Sequence, residues 1–213
     1  MEQINYNNLR MGAALHGKAF GSHMPVLRSG AGDFRVIPKQ AGMRARMEIR
    51  ILSQPDLPGI SRIQGECYSQ DILESLDSFS AKLCAAPEFC FMAVHGEQAV
   101  GYAVALPRIF GDIPDLNSVE HSVSSNADSL CIHDLAVSPS ARRVGIASQL
   151  LKAVLDAARE RGYKRIFLVA IQGASSYWQR HGFEALQVDE SLKRGLSAYG
   201  KGATYMVRTD EGV

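Results

Sequence analysis

Arg142-Arg143-Val144-Gly145-Ile146-Ala147 lies between an apolar run and an amphipathic one. These residue types at this spacing suit the capture of an anion. Gly145 and Ala147 remove side-chain bulk where a chain must wrap a ligand closely, and Arg142 and Arg143 bring charge. Behind them, a helix starting near Gly145 sets the positive end of its dipole and the free N–H groups of its first turn, up to Ser148. A diphosphate needs this combination of close backbone donors and positive charge. The competing reading is a surface loop with two solvated arginines.

The flanking elements decide whether such a turn is held in place. Residues 130–137 read as an apolar strand closed by Pro139. Ile146, Leu150, Leu151, Val154, Leu155 and Ala158 recur at helical spacing, and Gly162 marks the helix stop. Residues 164–170 form a strand that is apolar at its centre, which fits cover on both faces. Strand, helix and strand together make a right-handed βαβ crossover. Upstream, 47–52 alternates as a half-buried strand, Asp56 is a plausible N-cap for a helix buried through Leu57, Ile60, Ile63 and Cys67, and 71–83 reads as a second helix. Residues 89–95 and 99–106 read as a hairpin around Gly96. A long polar stretch at 107–129 reads either as a lid or specificity loop or as a tolerated insertion. Downstream, 172–181 reads as a short helix, and 183–188 and 203–208 as strands. This order predicts an α/β domain with a mixed sheet and helices on both faces.

Composition narrows the function classes. The 46% hydrophobic and 21% charged residues are ordinary globular usage and argue against global disorder. Net charge is +1, so nothing global points to nucleic acid. Seven Lys/Arg against two Asp/Glu make residues 1–46 basic, and the body at 47–213 is mildly acidic, which is compatible with a cationic amine substrate. The first 46 residues are also rich in glycine and contain Gly21-Ser22-His23-Met24, which resembles an expression-vector scar. They are expected to be a flexible arm, partly vector-derived, ahead of one domain at 47–213. Cys67, Cys84, Cys90 and Cys131 form no CxxC pair and no cluster at zinc spacing, so neither a metal nor a disulfide framework is expected and the location expected is cytoplasmic. No run is long enough to span a membrane.

Two blocks at matching spacing carry a family resemblance. Leu135-Ala136-Val137 precedes Arg142-x-x-Gly145-x-Ala147, and downstream stands Tyr177-Trp178-Gln179-Arg180-His181-Gly182-Phe183. With them, residues 47–208 resemble the GNAT superfamily of N-acetyltransferases, and in motif most nearly its arylalkylamine (serotonin-type) branch. The resemblance implies the acyl-CoA N-acyltransferase fold, a mostly antiparallel sheet of six to seven strands with helices on both faces. It implies acetyl-CoA as cosubstrate and direct transfer, in a ternary complex, to a primary amine such as an arylalkylamine or polyamine. Leu135, Ala136 and Val137 would carry the pantetheine arm on their backbone, with the Leu135 N–H near the thioester carbonyl as an oxyanion donor. Arg142, Arg143, Val144, Gly145, Ile146, Ala147 and Ser148 would hold the pyrophosphate, and Trp178 would lie on the cofactor side. The expected partner is a small-molecule amine, with neither nucleic acid nor membrane, and the chain is expected as monomer or homodimer. Alternatives are a non-catalytic acyl-CoA-binding module and an acetyltransferase acting on protein N-termini or lysines.

The catalytic residues depart from that pattern. The branch places a His-x-His pair on the central strand, and the matching positions here are Cys131 and His133. His133 reads either as a base working through water or as a hydrogen-bonded cleft histidine. Glu66 and Asp134 are further candidate bases, with Glu66 expected as an acidic wall of the acceptor pocket. At the family's usual acid position, four residues before the glycine of Gly182-Phe183, stands Trp178, which has no usable proton. Tyr177 is the nearest substitute, although adjacent helical residues face about 100° apart, and Tyr199 is another. A covalent route through Cys131 is the alternative mechanism.

Overall fold

The computed structural model describes residues 46–120 and 122–210. The expected basic arm, Arg46 apart, lies outside the described residues. In chain order the elements are β1 (Met47–Ile51), α1 (Leu57–Cys67), α2 (Leu76–Ala85), β2 (Cys90–His95), β3 (Gln98–Arg108), β4 (Ser129–Val137), α3 (Ile146–Glu160), β5 (Arg165–Ala170), α4 (Ser175–Gln179), β6 (Glu184–Ala185), α5 (Glu190–Ser197) and β7 (Thr204–Thr209).

The strands form one seven-stranded sheet in the order β1-β2-β3-β4-β5-β7-β6. Only the β4–β5 pair is parallel, joined by α3 as the crossover. The pleat sorts side chains to two cores. Ala93, Ala103 and Ala105 face the stripe of α3 formed by Ile146, Leu150, Leu151, Val154, Leu155 and Ala158. Met92, Tyr102, Val104 and Ala136 face Ile60 and Ile63 of α1 and Phe79 and Leu83 of α2. The small residues on the α3 side let helix and sheet approach closely. Gly162, at φ +80°, turns the chain out of α3, and the Tyr163 N–H closes onto the Ala158 carbonyl at 2.9 Å.

Two irregularities in the sheet prepare the site. Between β3 and β4 the register shifts, with Val104 opposite Asp134 and Ala105 opposite Ile132. His133 is therefore the extra residue of a β-bulge, and bulges re-aim side chains. On the other side, β4 pairs with β5 only at Leu130–Ile166, Cys131–Phe167 and Ile132–Leu168. From His133 onward the two strands part.

Three expectations need correcting, and one element was not expected. The helix expected over 71–83 is interrupted: a 3-10 turn at Gln70–Ile72 gives way to extended Leu73, and α2 starts afresh at an N-cap, Ser75, whose hydroxyl accepts the Ser78 N–H at 3.2 Å. Asp56 stands at the N-cap of α1 as expected, but its side chain accepts no hydrogen bond from the helix. It sits in a capping box with Ser53 and pairs bidentately with Arg50 at 2.6 and 2.8 Å, and these bonds hold its carboxyl down at about 2. The strand expected over 183–188 is only Glu184–Ala185. Helix α5 has no counterpart among the expected elements; a Cβ at Gly195 within it would lie 3.0 Å from Ile113, so the glycine is what lets α5 dock on the long loop.

At Gly101 helix and sheet close on the backbone, where a Cβ would stand 3.0 Å from the Ala136 carbonyl oxygen and 3.2 Å from Leu150 and Val137. Gly101→Val is expected to lower the unfolding free energy by about 1–3 kcal/mol through overpacking, measured as a reduced midpoint in urea unfolding.

Candidate functional site

The parting of β4 from β5 opens a cavity of about 390 Å³. One wall is the freed stretch of β4, Ile132 to Val137; the other is Leu168, Val169 and the turn that follows β5. In that turn Gln172 and Gly173 both take left-handed backbone, at φ +51° and +74°. Beyond Ile132 the β5-facing edge of β4 has no sheet partner, so its backbone polar groups, apart from the Val137 carbonyl that accepts from Arg142 and Cys67, are available to an extended ligand rather than to a neighbouring strand.

The basic turn lies at one end of this cleft. A 3-10 turn at Pro139–Ala141 leads to Arg143, held at φ +69°, and to Gly145 at φ +84°, the N-cap of α3. No side chain caps this helix, and no atom lies within 4 Å of where a Gly145 Cβ would be. The first-turn N–H groups thus have no side-chain cap, the condition under which they can bind anions. Arg142 folds back over the cavity instead: its Nε donates to the Val137 carbonyl at 3.1 Å, and a terminal nitrogen lies 3.5 Å from Cys67 Sγ. Arg143 and Val144 are exposed.

His133 lines the cavity and its side chain is only 2% exposed. Its Nε2 lies 2.5 Å from Glu74 Oε1, and its Nδ1 has no hydrogen-bond partner. Glu74 is placed by the break between the 3-10 turn and α2, and by Gln64, whose side chain bonds both the Glu74 N–H and carbonyl at 3.0 and 2.7 Å. On Oε2 it accepts Lys82 Nζ at 2.7 Å and the Asn117 N–H at 2.6 Å. Burial opposes charge on Glu74, but the hydrogen bonds from His133 and Lys82 and the charge of the Lys82 ammonium outweigh it and hold the carboxyl well below the usual range. Burial in turn lowers the Lys82 ammonium, against the pull of Glu74.

Asp134, next on the strand, is locked differently. Burial raises its carboxyl, while Tyr102 and Tyr68 each donate a hydroxyl to it at 2.5 Å, one to each oxygen. Both oxygens being occupied, Asp134 is a clamp that ties α1 and β3 to β4. Glu66 is not among the cavity-lining residues. It accepts Ser138 Oγ at 2.6 Å and pairs with Arg62 on the surface of α1, so the acidic wall expected from it is absent at that position.

Three tyrosines line the cavity, Tyr68, Tyr177 and Tyr199. Tyr68 is committed to Asp134, and Tyr199 donates to the Pro114 carbonyl at 2.5 Å. Tyr177 alone of the three has a buried hydroxyl that completes no hydrogen bond. Burial raises its pKa. Although Tyr177 and Trp178 are adjacent, both reach the cavity: the Trp178 ring packs into the core against Phe183, with centroids 5.4 Å apart, and Tyr177 stacks edge-on to it.

The stretch at 107–129 is narrower and better anchored than its composition suggests. Pro107 and Arg108 extend β3, leaving 109–128 as the loop. Phe110 packs edge-on against Phe167 and Tyr205 under the Arg165 guanidinium, Leu116 lines the cavity, and Asn117, at φ +58°, both donates to Glu74 and accepts the Ser75 N–H at 2.8 Å.

Glu74, Lys82, Asn117 and the two tyrosines on Asp134 were missed at the level of sequence. Ser75, a good N-cap with an acid two residues on, was the one local sign that the second helix would break there and free Glu74. The covalent route through Cys131 fails on position. The thiol is buried, lies outside the cavity lining and is pushed up to about 12 by desolvation. A maleimide at mildly basic pH is expected to label exposed Cys84 quickly and Cys131 and Cys90 only on unfolding, because a thiol titrating near 12 carries almost no thiolate there; peptide mass mapping over time reads the order.

Comparison with known proteins agrees with this architecture. The sequence model described as the Acetyltransferase (GNAT) family matches residues 57–183. Streptothricin acetyltransferase of Streptomyces lavendulae is 31% identical over 114 residues, which cover 52% of this chain and 59% of that protein. The match thus spans little more than half of the relative's length. Among solved structures, the loading GNATL domain of CurA from Lyngbya majuscula superposes with a TM-score of 0.66 at 11% identity, over 77% of this chain and 98% of that one. N-acetylglutamate synthase from Neisseria gonorrhoeae, complexed with coenzyme A and N-acetyl-glutamate, gives 0.59 at 22% identity, over 79% of this chain and 36% of that one. At such identities these two establish shared fold. With a family model matching well over half its length on the elements that build the cleft, the chain belongs to the GNAT acetyltransferase family.

Proposed function

We propose that the domain at 47–213 transfers the acetyl group of acetyl-CoA to a primary amine by direct attack in a ternary complex. The observation that carries this reading is the coincidence, in one cavity, of an unpaired strand edge, an uncapped helix N-terminus, and two buried polar atoms without partners, His133 Nδ1 and the Tyr177 hydroxyl. An extended acyl-CoA arm needs backbone donors and acceptors along its length and an anion cradle at its end. The free edge of β4, with Leu135, Ala136 and Val137, and the turn from Arg142 to Ser148 offer both. Trp178 supplies an apolar surface beside them.

Amine acetylation also needs a group to take the ammonium proton and one to protonate the departing thiolate. His133 is the base: its Nδ1 lone pair is the unused acceptor in the cavity. Tyr177 is the acid. Its raised pKa keeps the phenol protonated at neutral pH, and the competing tyrosines have spent their protons on Asp134 and Pro114. Glu66, away from the cavity lining, is assigned no part in the chemistry.

The acceptor end is built from Tyr68, Ile72, Leu116 and Tyr199 around His133. The carboxylates nearest to it, Glu74 and Asp134, are already hydrogen-bonded on both oxygens. An amine on an apolar or aromatic body suits this wall better than a polyamine, whose second ammonium would meet no free carboxylate. That favours the arylalkylamine class. Unpaired cysteines and the lack, among the described residues, of a helix long and apolar enough to cross a membrane support a cytoplasmic location.

Free-thiol release from acetyl-CoA with a panel of amines tests the reading: release that depends on an arylalkylamine and exceeds that with polyamines is expected. Tyr177→Phe should lower kcat at least about tenfold with little change in acetyl-CoA KM, and an unaltered kcat would remove the acid assignment. Coenzyme A at about a hundred times its Kd should add roughly 2.7 kcal/mol of stability, a melting shift of about 5–10 °C for a domain of this size. Gly145→Glu, which fills the cradle, should abolish the shift.

A further inference from the structure

Glu74 belongs to no motif, and its position was set by chain geometry alone, yet it holds the ring that the mechanism depends on. Its Oε1 lies 2.5 Å from His133 Nε2. Its Oε2 takes the Lys82 ammonium at 2.7 Å and the Asn117 N–H at 2.6 Å. Both of those groups can only donate. Oε2 is therefore an acceptor that carries no proton, and the buried Lys82 ammonium paired with it keeps the carboxyl ionised, so Oε1 carries none either. Ser78 completes this side, accepting from Lys82 Nζ and lying 2.7 Å from the Ser118 carbonyl and 3.0 Å from Oε2.

The consequence for the ring follows from counting protons. An ionised Glu74 has no hydrogen to give to Nε2, so Nε2 must carry the hydrogen and donate it. In the neutral imidazole the lone pair then sits on Nδ1, the nitrogen without a partner. The bulge that makes His133 the extra residue of β4 brings the ring to this partner across 59 residues of chain.

We propose that Glu74 is the positioning residue for His133: it fixes the Nε2–H tautomer and so keeps Nδ1 as the proton acceptor for the incoming amine, with Lys82 and the Asn117 backbone holding the carboxylate in place. The inference rests on the acetyl-transfer reading for its role in turnover, though the tautomer itself does not. When Nδ1 takes the ammonium proton, the ring becomes an imidazolium whose Nε2–H stays on the carboxylate. No proton needs to pass to Glu74. Asn117 links this arrangement to the loop over the acceptor end, since Leu116, the preceding residue, lines the cavity.

Removing Glu74 alone would strand the Lys82 ammonium in a wholly buried position, so the test uses the charge-balanced pair Glu74→Gln with Lys82→Met in the full chain. The Asn117 N–H donates, so it selects the amide oxygen of the new glutamine. Its NH2 then faces His133 Nε2, which must become the acceptor, and the hydrogen moves to Nδ1. Nitrogen-15 NMR of labelled protein, with the His133 signals assigned by a His133→Ala variant, reads the tautomer directly. The wild type is expected in the Nε2–H form and the double variant in the Nδ1–H form. In parallel, kcat for amine acetylation should fall at least about tenfold, with acetyl-CoA KM little changed. An Nδ1–H wild type, the same tautomer in both proteins, or an unchanged kcat would overturn the proposal. A wild type that releases no thiol with any amine would overturn the acetyl-transfer reading instead, and the NMR result would still decide whether Glu74 sets the ring.

Discussion

The short parallel pairing between β4 and β5 is the constraint on which the rest of the molecule depends. Three residue pairs join the strands, and then they part. Were the ladder to continue, the backbone of Leu135 to Val137 would be satisfied by β5 and no cavity would exist. Because it stops, α3 must start beside a freed strand edge, and its uncapped N-terminus comes to lie at the end of the cleft. The bulge at His133 acts on the other edge of the same strand. One strand thereby serves two purposes: antiparallel pairing with β3 holds it rigid, and its opposite edge is left for a ligand.

The polar interior around that strand is organised so that carboxylates position rather than react. Asp134 is held between two phenols and Glu74 between an imidazole and an ammonium. Burying Glu74, Lys82 and His133 together, at 5%, 0% and 2% side-chain exposure, is costly unless each charge is matched and each hydrogen bond made. Here the matching is nearly complete. Among the described residues the exceptions are His133 Nδ1 and the Tyr177 hydroxyl, the two atoms to which the proposed chemistry assigns proton transfer. In an interior where other polar groups find partners, unpaired atoms on the wall of a cavity are a functional signature.

Much of the scaffold was legible in the residues. The stripe of α3 was read residue for residue, because a six-position apolar period ending at a glycine stop has few other solutions. The hairpin of β2 and β3 and the crossover were equally plain. Glu74 was not, since its meaning lies in a partner 59 residues away and in a helix break that the apolar period of Ile72, Leu76, Phe79 and Leu83 conceals. Tyr177 was read as the substitute acid, against the expectation that it would face away from Trp178; it reaches the cavity because α4 is only five residues long and ends in a tight turn at Gly182. Glu66 failed for the converse reason: an acid at a helix end near the acceptor pocket is as readily a surface partner for Arg62 as a wall of that pocket.

The central claim is that the cleft between β4 and β5, closed by the α3 N-terminus, is where the acyl-CoA arm lies. Hydrogen–deuterium exchange of the intact chain with and without coenzyme A tests it most directly. The account predicts slowed exchange in peptides covering 133–148 and the turn at 171–178, with β1 and β2 unchanged. Protection elsewhere on the molecule, with none along 133–148, would contradict it.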